Sequence, residues 1–219
     1  MKQNKIISET KNTYTAIAQE YALKIDAILD HNPWVSILEK KYLKELLLKI
    51  SSSNPCIMDL GCGNGKDSNF MRIKGANVAS VDISRGMLEE AKDRTVNKTG
   101  IFIQANMAYL PFTDKTFDAI WANGCIYHVS KKDFIKVLAN IRRILAKEGV
   151  FLFTFKIGVG EKWEKKPKSY GKFPRFYAFY SIEEMRKALE SAGFVEIAIK
   201  SYPLKILGET IAVAFAVNP

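Results

Sequence analysis

The chain predicts an α/β fold built as a doubly wound sheet, and three observations carry that expectation. From residue 56 onward, apolar runs of strand length alternate with helical patterns, the arrangement that builds a parallel sheet. Val150-Phe151-Leu152-Phe153-Thr154-Phe155 is a near-continuous apolar run, typical of a strand covered on both faces. The run Cys56-Ile57-Met58 breaks at Asp59-Leu60-Gly61-Cys62-Gly63-Asn64-Gly65 into alternating glycines, and a helix follows.

The elements follow in order. Residues 12–29 carry Tyr14, Ile17, Ala18, Tyr21, Ala22, Ile25 and Ile28, a spacing that predicts one amphipathic helix. Asn32-Pro33 breaks it, with Pro33 suited to the first turn of a second helix. Trp34, Ile37, Leu38, Leu43, Leu46, Leu47 and Ile50 continue that helix until Ser51-Ser52-Ser53-Asn54-Pro55 ends it. The first strand opens at Cys56. Next come a helix over about 66–74, closed by Gly75, a strand over 77–81 and a helix over about 84–95. Strands are expected at 101–104 and 117–122, then a helix over about 131–146. A basic, aromatic insertion spans 156–179. Ser181 and Glu184 have capping-box spacing and open the last helix. Two strands, about 194–201 and 210–217, close the chain. The whole reads as one domain, 1–219: a helical cap (1–54), a core (55–155), an insertion (156–180) and a C-terminal helix with a strand pair (181–219).

The glycine turn carries the first chemistry. Glycine has no Cβ, so the main chain can bend sharply and admit a bound molecule closely. The helix that follows offers unpaired N–H groups and the positive end of its dipole. Together these predict a nucleotide-like cofactor. A dinucleotide fingerprint, G-x-G-x-x-G, needs a third glycine three places after the second. Here Gly61, Gly63 and Gly65 alternate, and that place holds Lys66. An acid, Asp59, introduces the turn, and the next strand ends at Asp82, whose carboxylate can accept two hydrogen bonds from a ribose diol.

These pieces resemble the class I S-adenosylmethionine-dependent methyltransferases. The resemblance rests on the acidic glycine loop 59–65 and on Val81-Asp82-Ile83-Ser84 with Met87-Leu88. It rests equally on Gln104-Ala105-Asn106-Met107 before Leu110-Pro111-Phe112, and on Phe117-Asp118-Ala119-Ile120-Trp121. It covers the chain from about Tyr14 to the last strand. Phe155-Lys156-Ile157-Gly158, Gly160-Glu161 and Arg175-Phe176-Tyr177 resemble a subgroup of stand-alone bacterial methyltransferases. The resemblance implies seven strands, mostly parallel, with an antiparallel last strand. It implies S-adenosyl-L-methionine as cofactor, S-adenosyl-L-homocysteine as product, and no metal. Gly61, Cys62, Gly63 and Gly65 would approach the cofactor's methionine and ribose portions, with Asp59 near the amino-acid end. Asp82 would hold the ribose diol, Ile83 and Met87 would also contact the cofactor, and Asn106 and Met107 would meet the adenine. Ala122 and Asn123 would stand at the carboxyl edge of the sheet, and Tyr14 and Tyr21 would fold over the cofactor.

Second readings stand beside several of these. Asp59 also reads as a buried acid satisfied by loop N–H groups, and Asp82 as an acid at a helix start that Ser84 already caps. Met107 also reads as core, and Tyr14 and Tyr21 as ordinary packing. Asn106 stands where many family members have an aspartate, and its amide oxygen can still accept from an adenine amino group. His128, with Tyr127 beside it, is a candidate general base for an oxygen, nitrogen or sulfur nucleophile, or else a structural histidine. Cys125 and His128 lack a second ligand pair, so no zinc site is expected.

The insertion interleaves Lys156, Lys162, Lys165, Lys166, Lys168, Lys172 and Arg175 with Trp163, Tyr170, Phe173, Phe176, Tyr177, Phe179 and Tyr180. It reads as a substrate lid, with Lys156, Arg175 and Tyr177 as substrate contacts, or as an exposed loop without such contact.

The charge of +10 over 219 residues suits an acidic partner, small molecule or nucleic acid, although lysine is spread over most of the sequence and much of the excess reads as an ordinary lysine-rich surface. Three cysteines make no disulfide framework, and the N-terminus lacks a secretory apolar stretch, so a cytoplasmic location is expected. No apolar run approaches the ~20 residues of a membrane span. The expected function is methyl transfer from S-adenosylmethionine to a small, acidic molecule. An RNA methyltransferase and a non-catalytic S-adenosylmethionine-binding protein are the alternatives. No appended nucleic-acid-binding domain is evident. Asn123-Gly124-Cys125-Ile126 also lacks the Asn/Asp-Pro-Pro-aromatic signature of amino-group methylation on bases.

Overall fold

The computed structural model describes residues 2–31, 33–95, 100–164, 173–204 and 208–219. Three helices open the chain: α1 (Lys2–Ala16), α2 (Ala18–His31) and α3 (Pro33–Leu48). Then β1 (Cys56–Leu60), α4 (Lys66–Ile73), β2 (Asn77–Asp82), α5 (Arg85–Arg94), β3 (Ile101–Gln104) and β4 (Phe117–Ala122) alternate. A 3-10 turn (Ile126–His128) leads to α6 (Lys131–Ile144) and β5 (Leu145–Lys156). The insertion contributes β6 (Glu161–Glu164) and β7 (Arg175–Ala178), and the chain closes with α7 (Ile182–Ser191), β8 (Val195–Leu204) and β9 (Glu209–Val217).

Seven strands form one sheet in the order β3-β2-β1-β4-β5-β9-β8. The first five pair in parallel, and β9 runs antiparallel to both its neighbours. This is the expected doubly wound methyltransferase sheet. Strand alternation sorts the core onto two faces. Met58, Leu60, Ile120, Ala122, Phe151, Phe153 and Phe155 pack on one face with α6 and α7 residues such as Phe134, Ile141 and Leu189. Ile57, Ala119, Trp121 and Leu152 pack on the other, with Leu43 and Leu46 of α3 and Met71 of α4.

Three expectations need correction. The single helix expected over 12–29 is two helices: α1 begins at Lys2, and the chain turns at Ile17. Backbone hydrogen bonds continue across the turn, from Ile17 N to Thr13 O and from Tyr21 N to Ile17 O. The bend wraps the pair around α5 at Gly86, where an added Cβ would lie 2.9 Å from the Thr15 carbonyl oxygen. The helix expected to reach 146 stops at Ile144, because Leu145 is extended and pairs with Phe117. The insertion is partly a hairpin, with Glu161 opposite Ala178 and Glu164 opposite Arg175. Its Lys165, Lys166, Lys168, Tyr170 and Lys172 lie outside the described residues.

The turn after β1 is fixed by the end of β2. Gly61 N and Cys62 N both donate to the Val81 carbonyl, at 2.7 and 3.0 Å. Gly61 has φ +71, and a Cβ built on it would overlap Cys125, with Sγ at 2.8 Å. Gly63 has φ +53 but open space around it. The two glycines therefore separate strain from overlap. Gly61→Ala should cost at least about 2 kcal/mol, lowering the melting temperature by about 4–8 °C. Gly63→Ala should cost about 1 kcal/mol, from its left-handed backbone alone. Thermal unfolding of both variants measures the difference, and equal losses would contradict it.

Candidate active site

A cavity of about 110 Å³ opens at the carboxyl edge of the sheet, many times the ~10–15 Å³ that a single water needs. Its floor is Gly61 and Gly63 of the turn, with Leu60 beneath. Asp82, Ile83 and Met87 form one side, and Ala105, Asn106, Met107 and Ala108 the next. Asn123, Gly124, Cys125 and His128 come from the segment after β4, followed by Val129, Ser130 and Asp133 at the start of α6. Ile6, Ile7, Thr10, Tyr14 and Tyr21 come from α1 and α2 above.

Asp82 is held by main-chain donors. Ser84 N donates to Oδ1 at 2.8 Å and Gly63 N to Oδ2 at 3.0 Å. Burial raises its carboxyl, opposed by the N–H groups of Ser84, Gly63 and Ile83. A carboxylate has about four acceptor sites, so the N–H groups of Ser84, Gly63 and Ile83 still leave it capacity toward the cavity for a hydroxyl of a diol. The Ser84 hydroxyl caps α5 by accepting from Met87 N at 3.1 Å, and this lets Asp82 face the cavity. Asn106 Oδ1 accepts from Ala108 N at 3.0 Å, which leaves the amide oxygen one lone pair. Asn123 is fixed on both sides: Nδ2 donates to Asp67 at 3.2 Å, and Oδ1 accepts from Thr154 Oγ1 at 3.1 Å. A diol acceptor, a bare glycine floor and the Met107 thioether fit an adenosyl group.

The remaining candidates stand behind this lining. Asp59 is buried beneath the turn and accepts from Ser68 Oγ at 2.6 Å, and Ser68 also bonds Ser80 at 2.7 Å. Burial and then the Asp67 carboxylate raise its carboxyl. Asp59 thus matches the reading of a buried acid, although a hydroxyl rather than a loop N–H meets it. Gly65 admits Ala91 of α5, which a Cβ at Gly65 would meet at 2.8 Å. Cys62 and Ala122 are buried in the support of the turn. Tyr127, Tyr177, Lys156 and Arg175 do not line the cavity but form a shelf behind His128. The Tyr127 ring lies 4.7 Å and the Tyr177 ring 5.0 Å from the imidazole. Lys156 sits 4.3 Å from the Tyr177 ring and gives two hydrogen bonds to Glu209, at 2.7 and 2.6 Å. It is a buried, paired cation rather than an exposed cation of a lid.

His128 is buried at the edge of the cavity. Its Nδ1 lies 2.8 Å from the Phe176 carbonyl, and its Nε2 lies 2.7 Å from Tyr14 Oη. Burial holds it well below the usual imidazole range, at about 3, helped by the Arg175 and Lys156 charges and opposed by the Phe176 bond. Three consecutive residues pin the end of α1. Thr13 Oγ1 donates to the Pro174 carbonyl at 3.0 Å, Tyr14 meets His128, and Thr15 Oγ1 meets Ser84 Oγ at 3.0 Å.

Ile6, Ile7, Thr10, Val129, Ser130 and Asp133 were not anticipated. For Ile7 and Thr10 a signal existed: with Tyr14 they follow the i, i+3, i+7 spacing of one helical face.

A family described as "Methyltransferase domain" matches residues 58–153. A tRNA U34 carboxymethyltransferase of Campylobacter jejuni is 30% identical over 203 residues, 88% of this chain and 68% of its own. A malonyl-acyl-carrier-protein O-methyltransferase of Hamiltonella defensa is 32% identical over 136 residues, covering 60% of this chain and 50% of its own. Among solved structures, 1,6-didemethyltoxoflavin-N1-methyltransferase of Burkholderia thailandensis superposes with a TM-score of 0.74 at 17% identity, covering 99% and 90% of the two chains. Magnesium protoporphyrin IX methyltransferase of Synechocystis superposes at 0.76 with 14% identity, covering 98% and 100%. The chain belongs to the class I S-adenosylmethionine-dependent methyltransferases.

Two predictions follow from the geometry. Asp82→Ala should weaken S-adenosylmethionine binding about 10- to 100-fold, the loss of charge-assisted hydrogen bonds. Calorimetric titration measures it, and unchanged affinity would refute the ribose assignment. The second concerns pH. An exposed imidazole titrates near about 6.5, whereas folded His128 titrates at about 3. Between these values the unfolded chain binds a proton that the folded chain refuses. The lowered value therefore costs nothing above about pH 6.5 and destabilises progressively as pH falls toward 3. His128→Gln should remove up to about a tenfold change in folding constant per pH unit in that window. Urea unfolding of both proteins between pH 4.5 and 7 tests this, and a pH-independent difference would contradict it.

Proposed function

We propose that this methyltransferase passes the methyl group of S-adenosylmethionine to a small molecule held beneath α1. One observation carries the reading. Ile6, Ile7, Thr10 and Tyr14 roof the same cavity that Asp82 and the glycine turn floor. An acceptor would share a roofed, largely apolar chamber with the cofactor, which suits a small, compact molecule and excludes water from the displacement.

The cofactor brings an already activated methyl group, so the protein's own residues mainly bind, align and exclude water. In this reading Asp82 holds the ribose, Met107 and Asn106 border the adenine, and Asn123 with Gly61 and Gly63 borders the methionine portion. Tyr14 and His128 stand at the acceptor end.

The expected acidity of the acceptor rested on the net charge and on the insertion's cations. Among the described residues, no lysine or arginine lines the cavity. Lys156 is engaged by Glu209, and Arg175 hydrogen-bonds Tyr14. We therefore propose an acceptor held by shape and hydrogen bonding rather than by negative charge.

The relative that acts on tRNA, together with the charge of +10, favours RNA as the second reading. Labelled S-adenosylmethionine, incubated with separated metabolite and RNA fractions of a cell extract, decides between them. Label is expected in the metabolite fraction. Label in RNA, falling steeply from low to moderate salt, would overturn the proposal.

A further inference from the structure

Four groups are hydrogen-bonded in series at the acceptor end of the cavity. The Phe176 carbonyl faces His128 Nδ1 at 2.8 Å, and His128 Nε2 faces Tyr14 Oη at 2.7 Å. The Arg175 side chain bonds that of Tyr14. A carbonyl has no proton to give, so Nδ1 carries one and donates it. In the neutral ring Nε2 is then an acceptor, and the Tyr14 hydroxyl donates to it. Arg175 can only donate, so its N–H points at Tyr14 Oη. The series has one direction for proton movement, from Tyr14 into His128. Tyr14 and His128 both line the cavity that holds Asp82 and Gly63.

We infer that Tyr14 is a catalytic residue, taking a proton from the acceptor as it passes its own to His128. The acceptor is accordingly a protic group X–H, such as a hydroxyl or phenol, rather than a carboxylate. The inference rests on the methyltransferase reading above. The atoms balance. The proton leaves X for Tyr14 Oη, and the Tyr14 proton moves to His128 Nε2. The electron pair freed at X forms the bond to the methyl carbon, while the carbon–sulfur pair stays with sulfur. His128 keeps its Nδ1 bond to Phe176 throughout and returns the extra proton to water before the next turnover.

Charge conservation makes a buried histidine workable here. His128 faces Tyr14 from α1, Tyr127 beside it and Tyr177 from β7. Arg175 and Lys156 oppose a positive ring. A proton on His128 is unfavourable in the free protein, but methyl transfer removes one positive charge from sulfur as one appears on the ring. The total charge of the site is unchanged, so protonation is coupled to transfer instead of preceding it. Arg175 and Phe176 are positioning residues: the first holds Tyr14 Oη, the second fixes the tautomer.

The test uses the full chain, labelled S-adenosylmethionine and the metabolite fraction that takes up label. Rates are compared for wild type, Tyr14→Phe and His128→Gln between pH 5.5 and 8.5, with cofactor affinity measured by calorimetry. Glutamine can still accept from Tyr14 but cannot take its proton. Both variants should lose about 10²–10⁴-fold in rate, with His128→Gln within about threefold of wild-type affinity. The wild-type rate should be nearly flat with pH. The His128→Gln rate should rise about tenfold per unit, as proton removal passes to hydroxide. A variant profile parallel to wild type, or an affinity loss as large as the rate loss, would reduce the series to a structural latch. A readout independent of the acceptor is 15N NMR, since the chain has two histidines. His128 should be neutral with its proton on Nδ1 at pH 6, and a proton on Nε2 would overturn the inference. Wild-type protein that binds no S-adenosylmethionine would instead sink the methyltransferase reading.

Discussion

The structure depends on one acceptor, the Val81 carbonyl oxygen. It takes the N–H groups of both Gly61 and Cys62 and so ties the turn after β1 to the last residues of β2. One residue later, Asp82 receives the N–H of Gly63. Two strand ends are thereby locked into a single surface. A left-handed Gly61 and the packed Cys125 behind it leave the main chain no room for a side chain there. Every other wall of the cavity is placed relative to this junction.

Beneath the junction the sheet buries polar groups as well as apolar ones. Asp59, Ser68, Ser80 and Arg72 form a chain of hydrogen bonds, the last from Arg72 to Ser80 Oγ at 2.7 Å. Trp121 Nε1 donates to Asp67 at 2.8 Å, and Asp67 in turn holds Asn123. The tip of β4 is therefore oriented from the first turn of α4, fifty-odd residues earlier in the chain. Paired buried groups of this kind favour a single arrangement, because any shift leaves one of them unsatisfied.

Much of this was legible in the sequence, for a physical reason. The buried strands β4 and β5 are near-continuous apolar runs, and the glycine turn has few conformational alternatives. Local pattern therefore specifies both. The parts that were not legible depend on distant contacts. The beginning of α1 offers only Ile6 and Ile7 as apolar signal, and three polar bonds to far-off residues hold its end in place. The β6–β7 hairpin pairs charged and aromatic residues without clean alternation. Lys156 read as a lid cation because Glu209, its ion-pair partner, stands 53 positions away. Asp59 could be identified as an acid in the turn, but its role as a buried hydrogen-bond acceptor became clear only once Ser68 was placed beside it.

The division of labour between α1 and the sheet has an evolutionary consequence. The first helix contributes nothing to strand pairing, yet it supplies most of the roof. Its end is attached through polar side chains at three adjacent positions, with Ile6 packed on the core nearer its start. A lineage can therefore rewrite the exposed turns of this helix, altering which molecules fit underneath, while the bed below stays as it is.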